Sequence, residues 1–323
     1  MAFQKVTSLM VSPTLYRRAI PAGARISRWI GPDGWDFRRF DWPAEGTPRG
    51  TILFQAGRGD LFEKYLEALA HWHSKGWSIT SLDWRGQGGS GRVSPDPHVG
   101  DIDDFATYIA DIRSFWAEWA PQAVGPVVAM GHSMGGHLVL RALVEGAITP
   151  VAAALSAPML GLHSPLGAAL GERFARLLGG VGNSSRAAWK TNELPATRVA
   201  REYLLTHDAS RYDDEMFWHQ THPELLLGPP SWRWVIQAFA STRLLRGDRR
   251  LKTMRVPVLM LVADADRLVD PKAALVVAAK LPDVRVVRFG KEAAHELLRE
   301  VDAVRNRAIG EIDLFLAARV PRG

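Results

Sequence analysis

The stretch Pro126-Val127-Val128-Ala129-Met130-Gly131-His132-Ser133-Met134-Gly135-Gly136 decides how this chain is read. Up to Met130 it is a short apolar run of the kind that forms a strand buried on both faces. From 134 to 145 the apolar residues recur at helical spacing. Between the two lies Gly131-His132-Ser133-Met134-Gly135, with room only for a tight turn. A Gly-x-Ser-x-Gly turn from strand to helix holds its serine in a strained backbone conformation at the C-terminal edge of a sheet. Glycines at 131 and 135 let neighbouring backbone approach without a Cβ in the way. The helix N-terminus that follows favours negative charge developing at the serine. Ser133 is therefore read as a nucleophile.

The same strand-then-helix unit recurs on both sides of this turn. Buried-strand runs are expected at 51–55, 77–83, 127–131, 151–155, 256–263 and 284–289, and helical periodicity at 61–75, 101–119, 134–145, 271–280 and 302–318. Repeated alternation means an α/β fold, a mostly parallel central sheet with helices on both faces. The rhythm stops between 159 and 250, where the pattern is helical and punctuated at Gly179-Gly180, Pro195 and Pro229-Pro230. One α/β core, 1–158 and 251–323, interrupted by a helical cap at 159–250, is the expected organisation.

A serine nucleophile needs a base, and the base needs an orienting acid. On a sheet of this kind they follow in the order Ser, acid, His. Asp266, in Ala263-Asp264-Ala265-Asp266-Arg267, and His295, in Ala293-Ala294-His295-Glu296-Leu297, both stand just past a strand. They would leave the same sheet edge as Ser133. Asp264 and Asp270 compete for the acid role, with Asp264 the fallback. An oxyanion hole needs two backbone N–H groups. Met134, after the nucleophile, offers one; Arg58, in the loop Gln55-Ala56-Gly57-Arg58-Gly59, offers the other. The Arg58 side chain itself is expected in solvent, or else against an anionic head group.

Other patterns dissolve on inspection. Gly86-Gln87-Gly88-Gly89-Ser90-Gly91 spells a dinucleotide fingerprint, but Pro95 and Pro97 stand where its helix should open, so it reads as a loop beside the site. His71 and His73, two apart on a helix, face different ways. His219 and His222 could share a face, yet one pair is too few ligands for a metal site. The aromatics of the insertion, Trp189, Phe217, Trp218, Trp232, Trp234 and Phe239, serve either its own small core or an apolar pocket over Ser133.

Composition narrows the setting. Of 323 residues 47% are hydrophobic and 23% charged, which fits a chain with a sizeable core. Forty basic against 34 acidic residues leave a net +6, spread along the chain with no run long enough for a nucleic-acid arm. Such a balance suits a solvated basic surface, or attraction to an anionic membrane. There are no cysteines, hence no disulfide, thiolate metal site or cysteine nucleophile, which fits a cytosolic protein. Met1-Ala2-Phe3-Gln4-Lys5-Val6 lacks a leader pattern, and the longest apolar strand, 256–263, is far short of the ~20 residues a membrane span needs. Membrane contact would be peripheral.

With these residues in hand, the stretch from about 35 to 318 resembles the monoacylglycerol lipase and bacterial lysophospholipase group of serine aminopeptidase-like α/β-hydrolases. The resemblance is carried by Ala56-Gly57-Arg58 with Lys64-Tyr65, by Leu82-Asp83-Trp84-Arg85-Gly86-Gln87-Gly88-Gly89-Ser90-Gly91-Arg92, by Gly131-His132-Ser133-Met134-Gly135-Gly136, by Val256-Pro257-Val258-Leu259 leading to Asp266-Arg267-Leu268-Val269-Asp270, and by Ala294-His295-Glu296-Leu297. It implies Ser133, Asp266 and His295 as catalytic triad, Arg58 and Met134 as oxyanion donors, a helical cap, glycerol-based monoacyl lipid esters as substrates, and no metal or organic cofactor. Thioesterases, amide or peptide hydrolases and transacylases use the same triad, and the residues alone leave those chemistries open.

Overall fold

The computed structural model describes residues 17–163, 168–180, 182–189 and 198–320. The N-terminal residues read for a leader, and Pro195, lie outside these.

The six parallel strands expected from apolar runs are present as β3 (Gly50–Gln55), β4 (Trp77–Leu82), β5 (Val127–His132), β6 (Ala152–Ser156), β7 (Val258–Ala263) and β8 (Val284–Phe289). Two further strands precede them, β1 (Arg25–Ile30) and β2 (Asp36–Trp42). Together they form one eight-stranded sheet in the order β1-β2-β4-β3-β5-β6-β7-β8. β2 pairs antiparallel with β1 and with β4; every pairing from β4 to β8 is parallel. The sequence did not announce β1 because its residues are mostly exposed and alternate with arginines, as suits an edge strand.

Side-chain alternation builds a core on each face of the sheet. Leu53 and Ala129 point into one, with α2 (Phe105–Trp119), α3 (Ser133–Val144) and α8 (Pro271–Ala278). Ile52, Phe54, Val128 and Met130 point into the other, with α1 (Leu66–Ser74) and α9 (Asp302–Arg319). The expected helix at 61–75 divides: Phe62–Tyr65 is a 3₁₀ turn and α1 proper starts at Leu66. The helix expected from 101 starts at Phe105, where the Asp104 side chain accepts from Ala106 N–H.

Between β6 and β7 the described residues contribute no strand to the sheet. They form α4 (Ala168–Gly179), α5 (Arg198–Leu205), α6 (Ala209–Thr221) and α7 (Trp232–Gly247). β3 lies between β4 and β5, so the chain leaves β3 in one direction and returns on its other side. The crevice at the carboxyl ends of such neighbours is where open α/β sheets bind ligands. Here the loops after β3 and β5 part.

Candidate active site

The turn after β5 has the geometry its sequence demands. Ser133 sits at φ 51°, a left-handed conformation that costs a non-glycine residue about 1–3 kcal/mol. Its flanking glycines are obligatory. A Cβ on Gly135 would lie 2.3 Å from the Gln55 carbonyl oxygen, and one on Gly131 would lie 2.7 Å from the Gly135 backbone. This close seating of α3 against β3 and β5 is what raises Ser133 above the sheet edge. The helix begins at Ser133 itself, so Met134 N–H falls in the first turn, among the donors that have no partner within the helix.

His295 arrives on the loop after β8. Its Nε2 is 2.8 Å from Ser133 Oγ and its Nδ1 is 2.6 Å from Asp266 Oδ2. The other carboxylate oxygen of Asp266 accepts from Leu268 N–H at 2.8 Å and Val269 N–H at 3.1 Å. Burial raises the cost of charge on Asp266, but the imidazole beside it and these amides outweigh that and lower its pKa. Burial pulls His295 down, and the Asp266 carboxylate more than offsets it, so its pKa is raised. The two shifts agree in sign: each partner favours the other's charged form.

The competing carboxylates are engaged elsewhere. Asp264 is partly exposed and pairs with Arg288 at 3.0 Å. Asp270 caps α8 through Lys272 N–H at 2.9 Å. His71 bonds Asp313 and His73 bonds the Pro43 carbonyl. His222 meets Glu224, whereas His219 faces the buried Glu215 and is depressed to about 4, chiefly by burial.

The second oxyanion candidate, Arg58, lies in a loop held from several sides. Trp84 Nε1 donates to the Ala56 carbonyl at 3.0 Å, Gly57 N–H donates to Asp60 at 3.2 Å, and Gly59 N–H donates to Gln87 Oε1 at 2.6 Å. Gln87 Nε2 also contacts Met134 Sδ at 3.8 Å, so one side chain touches both residues' surroundings. The Arg58 side chain is not in solvent as expected: it donates to the Gly228 carbonyl and lies over the Trp234 ring. In the sequence Gln87 belongs to a loop beside the site and Trp84 only to the stretch 82–92 that carries the resemblance; their signal was their place in the Asp83–Gly88 motif.

A cavity of about 420 Å³ opens over Ser133 and His295. One part of its lining is apolar, with Met159, Leu162, Leu204, Leu268, Val269, Trp189 and Trp234; another is ionic, with Asp60, Lys64, Arg201 and Glu296. Of the aromatics in the insertion, Trp189 and Trp234 reach this lining, while Trp218 and Phe239 pack into the cores. A hollow of about 490 Å³ lined by Asp104, Arg141, Ser241, Arg243 and Leu244 contains none of the three triad candidates.

Asp60, His132 and Glu296 offer a metal three donor atoms within 4.8 Å of one another. Lys64 Nζ already stands 2.7 Å from Asp60 and 2.8 Å from Glu296, so this set is charge-satisfied by an ammonium. Burial, and then the charge of His295, hold His132 near 4, uncharged at neutral pH.

Residues 46–302 match the family described as serine aminopeptidase, S33. The chain is similar to lysophospholipase L2 of Escherichia coli, 29% identical over 293 residues that cover 84% of this chain and 82% of the relative. It is also similar to monoglyceride lipase of Rattus norvegicus, 23% identical with 86% of each chain covered. Among solved structures, a soluble variant of monoglyceride lipase from Saccharomyces cerevisiae in complex with a substrate analog superposes with a TM-score of 0.73 at 19% identity, covering 95% of this chain and 98% of that one.

Proposed function

The chain belongs to the serine aminopeptidase S33 family of α/β-hydrolases, and from that premise we propose that it cleaves monoacyl lipid esters, lysophospholipid or monoacylglycerol, through Ser133, His295 and Asp266. It is a serine hydrolase. The observation that carries the assignment of roles is the unbroken line Asp266–His295–Ser133, at 2.6 and 2.8 Å, beneath a cavity with an apolar wall.

In this reading His295 Nε2 takes the Ser133 proton as Oγ bonds to the ester carbonyl carbon. Asp266 keeps Nδ1 protonated and stabilises the imidazolium. The carbonyl oxygen, now negative, accepts from Arg58 and Met134 N–H. Collapse breaks the bond to the leaving alcohol, which takes the proton from His295. Water, deprotonated by His295, then attacks the acyl carbon; the bond to Ser133 Oγ breaks, Oγ takes the proton back from His295, and the fatty acid leaves. Every proton is handled by a side chain present, and the scheme calls on no metal or organic cofactor.

The helical segment 159–250 serves as a cap between the core parts 1–158 and 251–323. Its Leu204, Trp189 and Trp234 support the binding of an acyl chain. α4 supports peripheral contact with an anionic, cytoplasmic membrane face: Leu170, Phe174 and Leu177, at helical spacing, are all more than half exposed, with Arg173 and Arg176 between them. No helix among the described residues is long and apolar enough to cross a membrane. The test is twofold. A fluorophosphonate should label the wild type and not Ser133→Ala. Turnover on monoacylglycerols and lysophosphatidylcholines should rise with chain length well beyond acetyl; a strict preference for acetyl esters would remove the lipid reading.

A further inference from the structure

Lys64 lies on the 3₁₀ turn that follows the Arg58 loop, and its side chain is 2% exposed. Burying an ammonium is costly unless carboxylates surround it. Three do: Asp60 Oδ1 at 2.7 Å, Glu296 Oε1 at 2.8 Å and Glu215 Oε2 at 2.9 Å, each itself almost wholly buried. They come from three different segments. Asp60 closes the Arg58 loop and accepts from Gly57 N–H and Tyr65 OH. Glu296 is the neighbour of His295. Glu215 belongs to α6. Arg201 at 2.6 Å from Glu215, and Arg299 against Glu296 and Glu215, bring the cluster to three cations and three anions. The backbone ties run the same way: Glu296 N–H donates to the Leu205 carbonyl at 2.8 Å, at the end of α5.

We propose that Lys64 is a positioning residue for the reaction: its one ammonium locks the loop of the oxyanion donor Arg58, the loop of the base His295 and cap helix α6 into a single register. This rests on the roles given above to Ser133, His295 and Arg58. Binding between rigid parts is cheap to hold once formed, whereas donors that drift by an ångström lose much of their effect on a developing oxyanion. Loosening the lock therefore lowers turnover per site while leaving ground-state binding of substrate nearly intact.

The test uses the full chain and two variants, Glu215→Gln, which keeps the shape while removing the cap-side charge and one of the two oxygens that accept from Lys64, Arg201 and Arg299, and Lys64→Met. Active sites are counted with a fluorophosphonate, so that misfolded protein drops out of the comparison. On p-nitrophenyl butyrate, kcat per labelled site is expected to fall about tenfold in Glu215→Gln and about 100-fold in Lys64→Met, the latter approaching loss of an oxyanion donor. KM should stay within about threefold, and affinity for phenylboronic acid, which mimics the tetrahedral state, should fall in parallel with kcat. If Lys64→Met does not fold, Glu215→Gln carries the test alone. Wild-type kcat per site and boronate affinity in a folded Glu215→Gln would overturn the lock, as would a loss confined to KM, which would make these residues substrate contacts. A wild-type protein that the fluorophosphonate does not label, or a Ser133→Ala variant that it does, would overturn the triad reading beneath it.

Discussion

Two carboxylates two residues apart have different fates here, and the reason is local backbone. Asp266 is turned inward, where the Leu268 and Val269 amides and His295 hold both its oxygens; Asp264 turns outward to Arg288. The sequence left the choice open because both stand past the same strand end. Asp266→Asn keeps the shape but cannot hold His295 as an imidazolium, and should lower kcat by up to about 10⁴-fold. Asp264→Asn breaks only an exposed pair, worth about 0–1 kcal/mol, and should leave kcat within twofold. The reverse order in steady-state kinetics would move the acid to Asp264. The same pair sets the pH profile. His295 acts as base only when neutral, so activity is lost as pH falls through its pKa. Because Asp266 raises that pKa above the ordinary 6.5, the acid limb of kcat/KM should lie above 6.5. In Asp266→Asn the limb should move down; a limb that stays in place would show that another group controls it.

At the scale of elements, legibility followed the range of the interactions. The six parallel strands were readable because each is a continuous apolar run buried on both faces. The β1–β2 hairpin was not, because Asp36–Trp42 carries arginines whose burial depends on partners elsewhere: Arg38 is buried only because Glu63 and Asp83 meet it. The role of Lys64 hid for the same reason: Asp60 is four residues away, but its other two carboxylates, Glu215 and Glu296, lie on α6 and beyond β8. The loop at 83–91 was readable as a loop, but not as a brace. Its Gln87 supplies the acceptor for Gly59 N–H and touches Met134, so it spans the two sides of the oxyanion site. Leaving that amide unpaired costs about 1–3 kcal/mol. Gln87→Leu is thus expected to lower kcat about tenfold, with KM nearly unchanged and a thermal midpoint within a few degrees of wild type. A loss of thermal stability with full kcat in the folded fraction would reduce Gln87 to a structural brace.

For the whole molecule, the sheet edge collects the chemistry while the insertion supplies what the substrate meets first. The sequence marked the insertion by a break in rhythm, but could not sort its aromatics, since burial within a cap depends on how its helices pack. All six aromatics of the insertion were candidates in the sequence; Trp189 and Trp234 are the ones at the cavity. The exposed row on α4 is the other product of that packing, because α4 rests on α7 with Ala175 and turns Leu170, Phe174 and Leu177 outward. A fully buried side chain of this kind is worth about 1.5–3 kcal/mol, so two that enter a lipid surface only in part account for about a tenfold partition. Phe174→Ser with Leu177→Ser should therefore weaken co-sedimentation with phosphatidylglycerol vesicles about tenfold and slow hydrolysis of vesicle-borne monoacylglycerol. Because neither residue reaches the cavity lining, turnover of soluble p-nitrophenyl butyrate should be unchanged. Raised salt should weaken the wild type's binding as well, through Arg173 and Arg176. Equal vesicle binding by wild type and variant would mean that α4 does not meet the membrane, and that lipid reaches Ser133 by another face.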